Sequence, residues 1–228
     1  MAASGKVVDL RNLLTERFPH PPVSKQGRLI TGLSFLDQPI GGGLPKGSIT
    51  ELISPQVSAG SASLIHALIQ SASVPQPIAL IDGCESFDPQ PLGNACLGHL
   101  LWVRCDKALE AIKAADLLLR DRNFPLVIVD LVLNPPAELR KIPQTSWYRL
   151  QRLVEPTSNA CLVLTRQSMV GSAQLKIVLD NLWTLETFEK DNATSRLQFR
   201  IHRSHLGRDI APRCPDGAAR RPYLATAS

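Results

Sequence analysis

The sequence predicts an α/β domain: a mostly parallel sheet covered by helices on both faces, with an antiparallel hairpin at its C-terminal side. Three observations carry this. Short, continuously apolar runs alternate with amphipathic helical stretches, the pattern of strands buried on both faces. One of these runs leads into a small-residue loop and then a helix, in ELISPQVSAGSASLI (51–65). The last two runs are separated only by a polar turn, EKDNAT, as in a hairpin.

The elements follow in chain order. VVDLRNLLTERF (7–18) places Val7, Leu10, Leu13, Leu14 and Phe18 at helical spacing, and PHPP ends the pattern. A helix linked in this way cannot bury its stripe alone; it docks on its own body or on another subunit. Strands are expected at 49–53, 78–81, 100–103, 126–131 and 161–164. Between them SLIHALIQS turns Leu64, Ile65, Leu68 and Ile69 to one side, and KALEAIKAADLLLRD does so with Leu109, Ile112 and Leu119. The closing pair is expected at 176–185 and 196–202. The domain reading is an N-terminal helix and linker at 1–27, a core at 28–206, and a basic, disordered tail at 207–228.

At 228 residues with 44% apolar content, the chain can bury a full core. It has no apolar run of the roughly 20 residues that cross a bilayer and no apolar signal core, so a cytoplasmic protein is expected. The cysteines Cys84, Cys96, Cys105, Cys161 and Cys214 are odd in number and scattered. They read as reduced thiols, with no disulfide or metal role. From Arg196 onward seven arginines face two aspartates, whereas the remaining 18 basic and 18 acidic residues cancel. That end is either a contact for nucleic acid or an acidic partner, or a solvated tail.

A phosphate-binding loop works because backbone N–H groups and a helix N-terminus converge on the anion, while a lysine reaches the outer phosphates and a hydroxyl holds magnesium. Here the first glycine is replaced by Ser54, Gly60 serves as the second with one residue inserted, and the lysine place falls on Ser61, followed by Ala62, or on Gly60 without the insertion. Each charge-assisted hydrogen bond to phosphate contributes about 1.5–3 kcal/mol. Losing two weakens triphosphate binding by about two to four powers of ten. The loop is therefore a bare strand-to-helix turn or a residual nucleotide site; Lys46, before the strand, is the nearest cation in the chain. Asp130, at the end of FPLVIVD, is expected to leave a strand next to the loop strand, as a magnesium ligand or as a turn cap.

The order of these segments resembles the RecA/RadA recombinase core. ITGLSFLDQPIGGGLPKGSITELISP is similar to that family's lead-in to the phosphate-loop strand, IALIDGCESFDP to its second strand and acidic turn, LVIVD to its magnesium strand, and VLTRQSMVG to the strand ending in a nucleotide-sensing glutamine, here Gln167. The resemblance covers about 28–203 and implies a P-loop NTPase-type fold. The family's water-activating glutamate falls on Cys84, with Glu85 one place late, and the glycine-rich second loop is shortened to SMVGSAQ. LNPPAELRKIPQTSWYRLQRL holds the place of the first DNA-binding loop.

With these losses the chain is most similar to ImuA-type accessory proteins of mutagenic translesion synthesis; SulA-type division inhibitors, a relative of the SOS response, resemble it less. The resemblance implies no required chemistry. It implies partners: an ImuB-like Y-family polymerase homologue, an error-prone replicative-type polymerase, and DNA as a further contact. The vestigial site would comprise Ser54, Gly60, Ser61, Ala62, Asp130 and Gln167, with no cofactor expected and weak ATP–magnesium binding as the alternative. A different reading is an atypical ATPase supplied with a lysine from elsewhere, such as Lys46 or a neighbouring subunit.

Arginines are the remaining contact candidates. Arg196, Arg200, His202 and Arg208 share strand parity and Arg203 takes the other face, suited to successive phosphates or to guarding an edge strand. Trp147 and Tyr148 beside Arg149 and Arg152 either stack on bases or pack a helix on the sheet. The stripe of Leu10, Leu13, Leu14 and Phe18 resembles in position the recombinase helix that docks on a neighbour, and docking on its own core is the competing reading.

Overall fold

A computed structural model describes residues 27–56, 59–71, 76–180 and 197–204. The expected helix at 7–18, the EKDNAT turn and the tail at 207–228 lie outside the described residues. So do Val57 and Ser58 of the loop.

The strands are β1 (Arg28–Leu29), β2 (Leu44–Pro45), β3 (Ser48–Ile53), β4 (Ile78–Asp82), β5 (Leu100–Arg104), β6 (Leu126–Asp130), β7 (Ala160–Thr165), β8 (Leu175–Leu179) and β9 (Phe199–Ser204). Three helices cover them: α2 (Ser61–Gln70), α4 (Ala108–Asp121) and α6 (Gln144–Val154). Single turns lie at α1 (Ser34–Asp37), α3 (Asn94–Leu97) and α5 (Pro136–Leu139). The main sheet has the order β5-β4-β6-β7-β3-β8-β9. All neighbours in it are parallel except β8 and β9.

Strand alternation divides the core into two layers. Leu52, Leu80, Ile128, Leu162 and Ile177 turn toward α2, which presents Leu64, Ile65 and Leu68. Ile49, Ile81, Val127, Val129 and Val163 turn toward α4 and α6. The central strands are buried on both faces, which is why their sequences run apolar without a break. On α4 the buried face is Ala108, Ala111, Ile112, Ala115 and Leu119; Leu109, expected on it, is exposed. Small alanines let the helix lie close to the sheet, and the periodic leucine falls just off the contact line.

The lead-in segment shapes the start of β3. Buried Asp37 accepts hydrogen bonds from the Thr31 backbone N–H and hydroxyl and from Gly32 N–H. The glycine turn then closes β1 on β2. Gly43 has φ 129°, and a Cβ there would fall 2.4 Å from the Leu29 carbonyl oxygen, so this place admits only glycine.

The closing pair forms as expected, with β8 antiparallel to β9. Its register shifts between Lys176 and Ile177, whose partners are Arg203 and Ile201, leaving His202 as the extra residue. This bulge breaks the strict parity expected of the β9 arginines. Cys105 and Cys161 are buried small residues, as expected of core thiols, and burial pushes the Cys161 thiol up to about 12. Among the described residues no helix is long and apolar enough to cross a membrane.

Candidate nucleotide-handling site

The loop after β3 starts from a firmly tied strand end. Ser54 is fully buried; its N–H bonds the Thr165 carbonyl at 2.7 Å and its hydroxyl donates to the Gln56 carbonyl at 3.1 Å. Gly60 then takes the left-handed conformation, φ 90° and ψ 17°, and its carbonyl accepts from Leu64 N–H at 2.9 Å to start α2. Ser61 is buried and Ala62 exposed. The strand-to-helix geometry is present, and a serine hydroxyl stands where the resemblance requires an ammonium.

Asp130 lies elsewhere than expected. Its strand pairs with β4 and β7, and β7 stands between it and the loop strand. Two inter-strand steps put about 10 Å between β3 and β6. The reason is the return of the chain through α5 and α6, which brings β7 in on the inner side of β6. What the sequence cannot state is this order of strands.

Asp130 instead meets Asp82, its direct partner across β4 and β6. Asp82 is buried and fully engaged: Oδ1 accepts from Ser86 N–H at 3.0 Å and from the Ser86 hydroxyl at 3.2 Å, and Oδ2 from Phe87 N–H at 2.8 Å. This carboxylate folds the acidic turn back on itself. Asp130 accepts one bond, from Val132 N–H at 3.0 Å. Burial pushes its carboxyl up to about 6, with the charge of Asp82 adding to the rise and the Val132 bond opposing it.

At the place of the activating glutamate, the Cys84 thiol is pushed up by burial and then by Asp82, Glu138, Asp130 and Glu85. Glu85 is exposed, has φ 49°, and sits 3.4 Å from Arg104. Gln167 is exposed beyond the end of β7. Among the described residues no group of three or more His, Cys, Asp or Glu converges as a metal site.

The lysines of the neighbouring strands are placed away from the loop. Lys46 precedes β3, and the strand's six residues put it about 20 Å from the loop end. Lys176 is buried, with its ammonium 2.5 Å from the Glu51 carboxylate. This pair is what sequence reading missed. Glu51 also accepts from Met169 N–H at 2.7 Å, Val170 N–H at 3.0 Å and the Thr165 hydroxyl at 3.2 Å. Lys176 donates to the Ser168 hydroxyl at 2.8 Å. On the other side, Gln144 donates to the Met169 carbonyl at 3.0 Å and Ser172 to the Trp147 carbonyl at 2.9 Å. The short second loop is thus clamped to β3, β8 and α6. The signal was there: a charge inside each of two apolar strands, ITELI and LKIVL.

The arginine candidates fall on separate elements. Arg149 forks onto Asp116 at 2.6 and 3.1 Å. Burial alone would lift that carboxyl, but the hydrogen bonds and charges of Arg149 and Arg120 hold it below the usual range. Arg152 is exposed on α6. Arg200 is exposed at 3.3 Å from Asp180, and Arg203 lies on β9. Arg196 and Arg208, like Leu10, Leu13, Leu14 and Phe18, lie outside the described residues. Trp147 does not stack on anything from outside: it is fully buried beneath α6, while Tyr148 is exposed. Gln151, also unremarked in the sequence, accepts from Ile49 N–H at 3.1 Å and donates to the Gly47 carbonyl at 3.3 Å, fixing α6 to the start of β3.

No family model matches the chain. Curated RecA proteins do: that of a Picosynechococcus strain is 32% identical over 121 residues, covering 50% of this chain and 34% of its own length. The Acinetobacter baylyi protein is 36% identical over 115 residues (48% and 33%). The Frankia alni protein is 31% identical over 124 residues (52% and 35%). The chain spans about a third of the length of the curated relatives it matches. Sheet, helix placement and these matches together make the core of this chain RecA-like.

Proposed function

We propose that the chain is a catalytically degenerate RecA-fold accessory protein of the bacterial DNA-damage response. It acts in the cytoplasm in translesion synthesis, through contacts with a polymerase-like partner of the ImuB type, an error-prone replicative-type polymerase, and DNA. The observation that carries this reading is the buried Ser61 at the lysine place. Three further features support it. Asp82 is consumed by its own turn. Burial and the charge of Asp82 push the Asp130 carboxyl up to about 6, so its charged form is disfavoured there. Cys84 stands where the water-activating carboxylate belongs. These residues do not fit a tightly held magnesium–triphosphate, so contact surfaces are the more economical use of the fold.

If the backbone cradle alone survives, Ser61→Lys is expected to raise triphosphate affinity about tenfold to a hundredfold, the contribution of one charge-assisted phosphate bond. Titration with a fluorescent ATP analogue reads this out. An unchanged affinity would mean that the loop backbone no longer converges on an anion.

The deciding experiment compares DNA binding by the full chain and by Arg196→Ala/Arg200→Ala/Arg203→Ala at several salt concentrations. The variant is expected to bind more weakly and to lose about 0.7–0.9 of salt slope for each phosphate contact removed. Unaltered binding removes the β9 surface from the proposal. Magnesium-dependent ATP turnover by the pure chain, lost in Asp130→Ala, would overturn it in favour of an atypical ATPase drawing its cation from a neighbouring subunit.

A further inference from the structure

The helices α4 and α6 pack side by side on one face of the sheet, and a groove of about 350 Å³ opens between them. Ile112 and Leu150, 7% and 1% exposed, form its floor, and Leu117 stands at its lip, 67% exposed. Leu109, Lys113 and Leu117 follow at four-residue steps, so they make one row about 12 Å long on the outer side of α4. Leu109 is 39% exposed, and Lys113 is exposed with no ionic partner among the described residues. A single leucine in water is ordinary. Two in one row beside an apolar hollow, with a cation between them, make a patch suited to contact.

We propose that this groove docks an acidic amphipathic helix of a partner protein, its apolar side chains on Ile112, Leu117 and Leu150 and its carboxylates on Lys113 and Arg149. Charge complementarity selects the carboxylates. Asp116 in the groove is already held by two guanidiniums, Arg149 at 2.6 Å and Arg120 at 2.9 Å. The lining groups and Arg120 thus set three cations against one carboxylate, a net charge of +2. Arg149 spends Nε and Nη2 on Asp116 and leaves Nη1 for another acceptor. The same charge amounts to about two phosphate contacts, well short of the roughly six to ten of a firm nucleic-acid site, and phosphates gain nothing from two leucines. A helix fits better than an extended segment. The backbones of α4 and α6 are satisfied within their own helices and offer no strand edge, whereas a ridge of i, i+4 side chains seats beside an i, i+4 row. This inference stands apart from the proposed function, and needs neither nucleotide nor DNA.

The probe is a fluorescein-labelled helical peptide of about fourteen residues, with leucines at i, i+3, i+4 and i+7, glutamates flanking them and alanine elsewhere. Titration of the full chain into it, read by anisotropy, should show saturable binding that weakens as salt is raised. Leu117→Ala should weaken it about tenfold and Lys113→Glu about fivefold, with the urea midpoint of each variant close to that of the native chain. Peptides with lysine in place of glutamate, or alanine in place of leucine, should bind at least about tenfold more weakly. No saturable binding of the glutamate peptide up to about millimolar would overturn the proposal, as would binding that neither variant alters. Equal binding of the lysine peptide would overturn it too. A single-stranded oligonucleotide that binds the native chain but not Lys113→Glu, with the peptide unbound, would give the groove to nucleic acid and overturn it equally.

Discussion

Lys176→Met is expected to lower unfolding free energy by about 3–5 kcal/mol, among the largest effects of any single side chain here. Methionine fills the volume of lysine but leaves the Glu51 carboxylate, fully buried, without its countercharge. Glu51→Leu should cost a similar amount by stranding the ammonium and by removing the acceptor of Met169 and Val170 N–H. The double variant discriminates mechanism from mere packing. Replacing both members of a buried ion pair by apolar side chains is often neutral or stabilising, so Glu51→Leu/Lys176→Met should recover most of the loss. It should not recover the loop: with its acceptor gone, residues 168–170 are expected to exchange amide hydrogens faster than in the native chain. Urea denaturation of the four proteins gives the cycle. A double variant as unstable as the sum of the singles would mean that the two side chains act independently, and would sink the account of them as a coupled pair.

That pair also marks where the sequence stops being legible. β3, β4, β6 and β7 lie within one or two residues of the apolar runs that predict them, because strands buried on both faces leave no polar position to blur their ends. The helix at Ser61–Gln70 was legible through its repeating leucines and isoleucines. The strand order was not. Nothing local in FPLVIVD states that β7 stands between β6 and the loop strand, since that follows from which crossover packs where. Glu51 and Lys176 look like two unrelated faults in apolar strands until the β3–β8 register makes them partners. Trp147 beside two arginines carries equal weight as a stacking group and as core; only its place under α6 separates the two. The candidate site was legible as an absence, the missing lysine, because a loop's required residue types are set by the anion it holds. The engagement of Asp82 with its own turn was not, for a carboxylate reads the same in sequence whether it faces a ligand or its own backbone.

Asp130→Asn is expected to stabilise the protein at neutral pH by about 1–3 kcal/mol, an unusual direction for a change at a half-buried strand end. The Asp130 carboxyl ordinarily titrates near 3.8 and in the fold near 6. The folded state thus holds a proton that the unfolded chain has released, and deprotonation works against folding. Below about pH 3.8 both states are protonated and the residue is neutral toward stability. The penalty grows between about pH 4 and 6 and is complete above that, so stability falls as pH rises through the window. Asparagine presents the same oxygen to Val132 N–H and carries no charge to repel Asp82. Its advantage should be full at pH 7.5 and gone near pH 4, as read from urea midpoints at the two values. An advantage of equal size at both would trace the gain to packing and remove the charge argument. Retaining a carboxyl that destabilises its own fold at working pH makes sense only if something offsets it, and a magnesium–nucleotide is the test. Should this ligand raise the midpoint of the native chain and leave Asp130→Asn unmoved, the site retains a metal-binding use. If neither protein responds, the carboxyl is a remnant, as expected of a core whose phosphate loop has lost its charge.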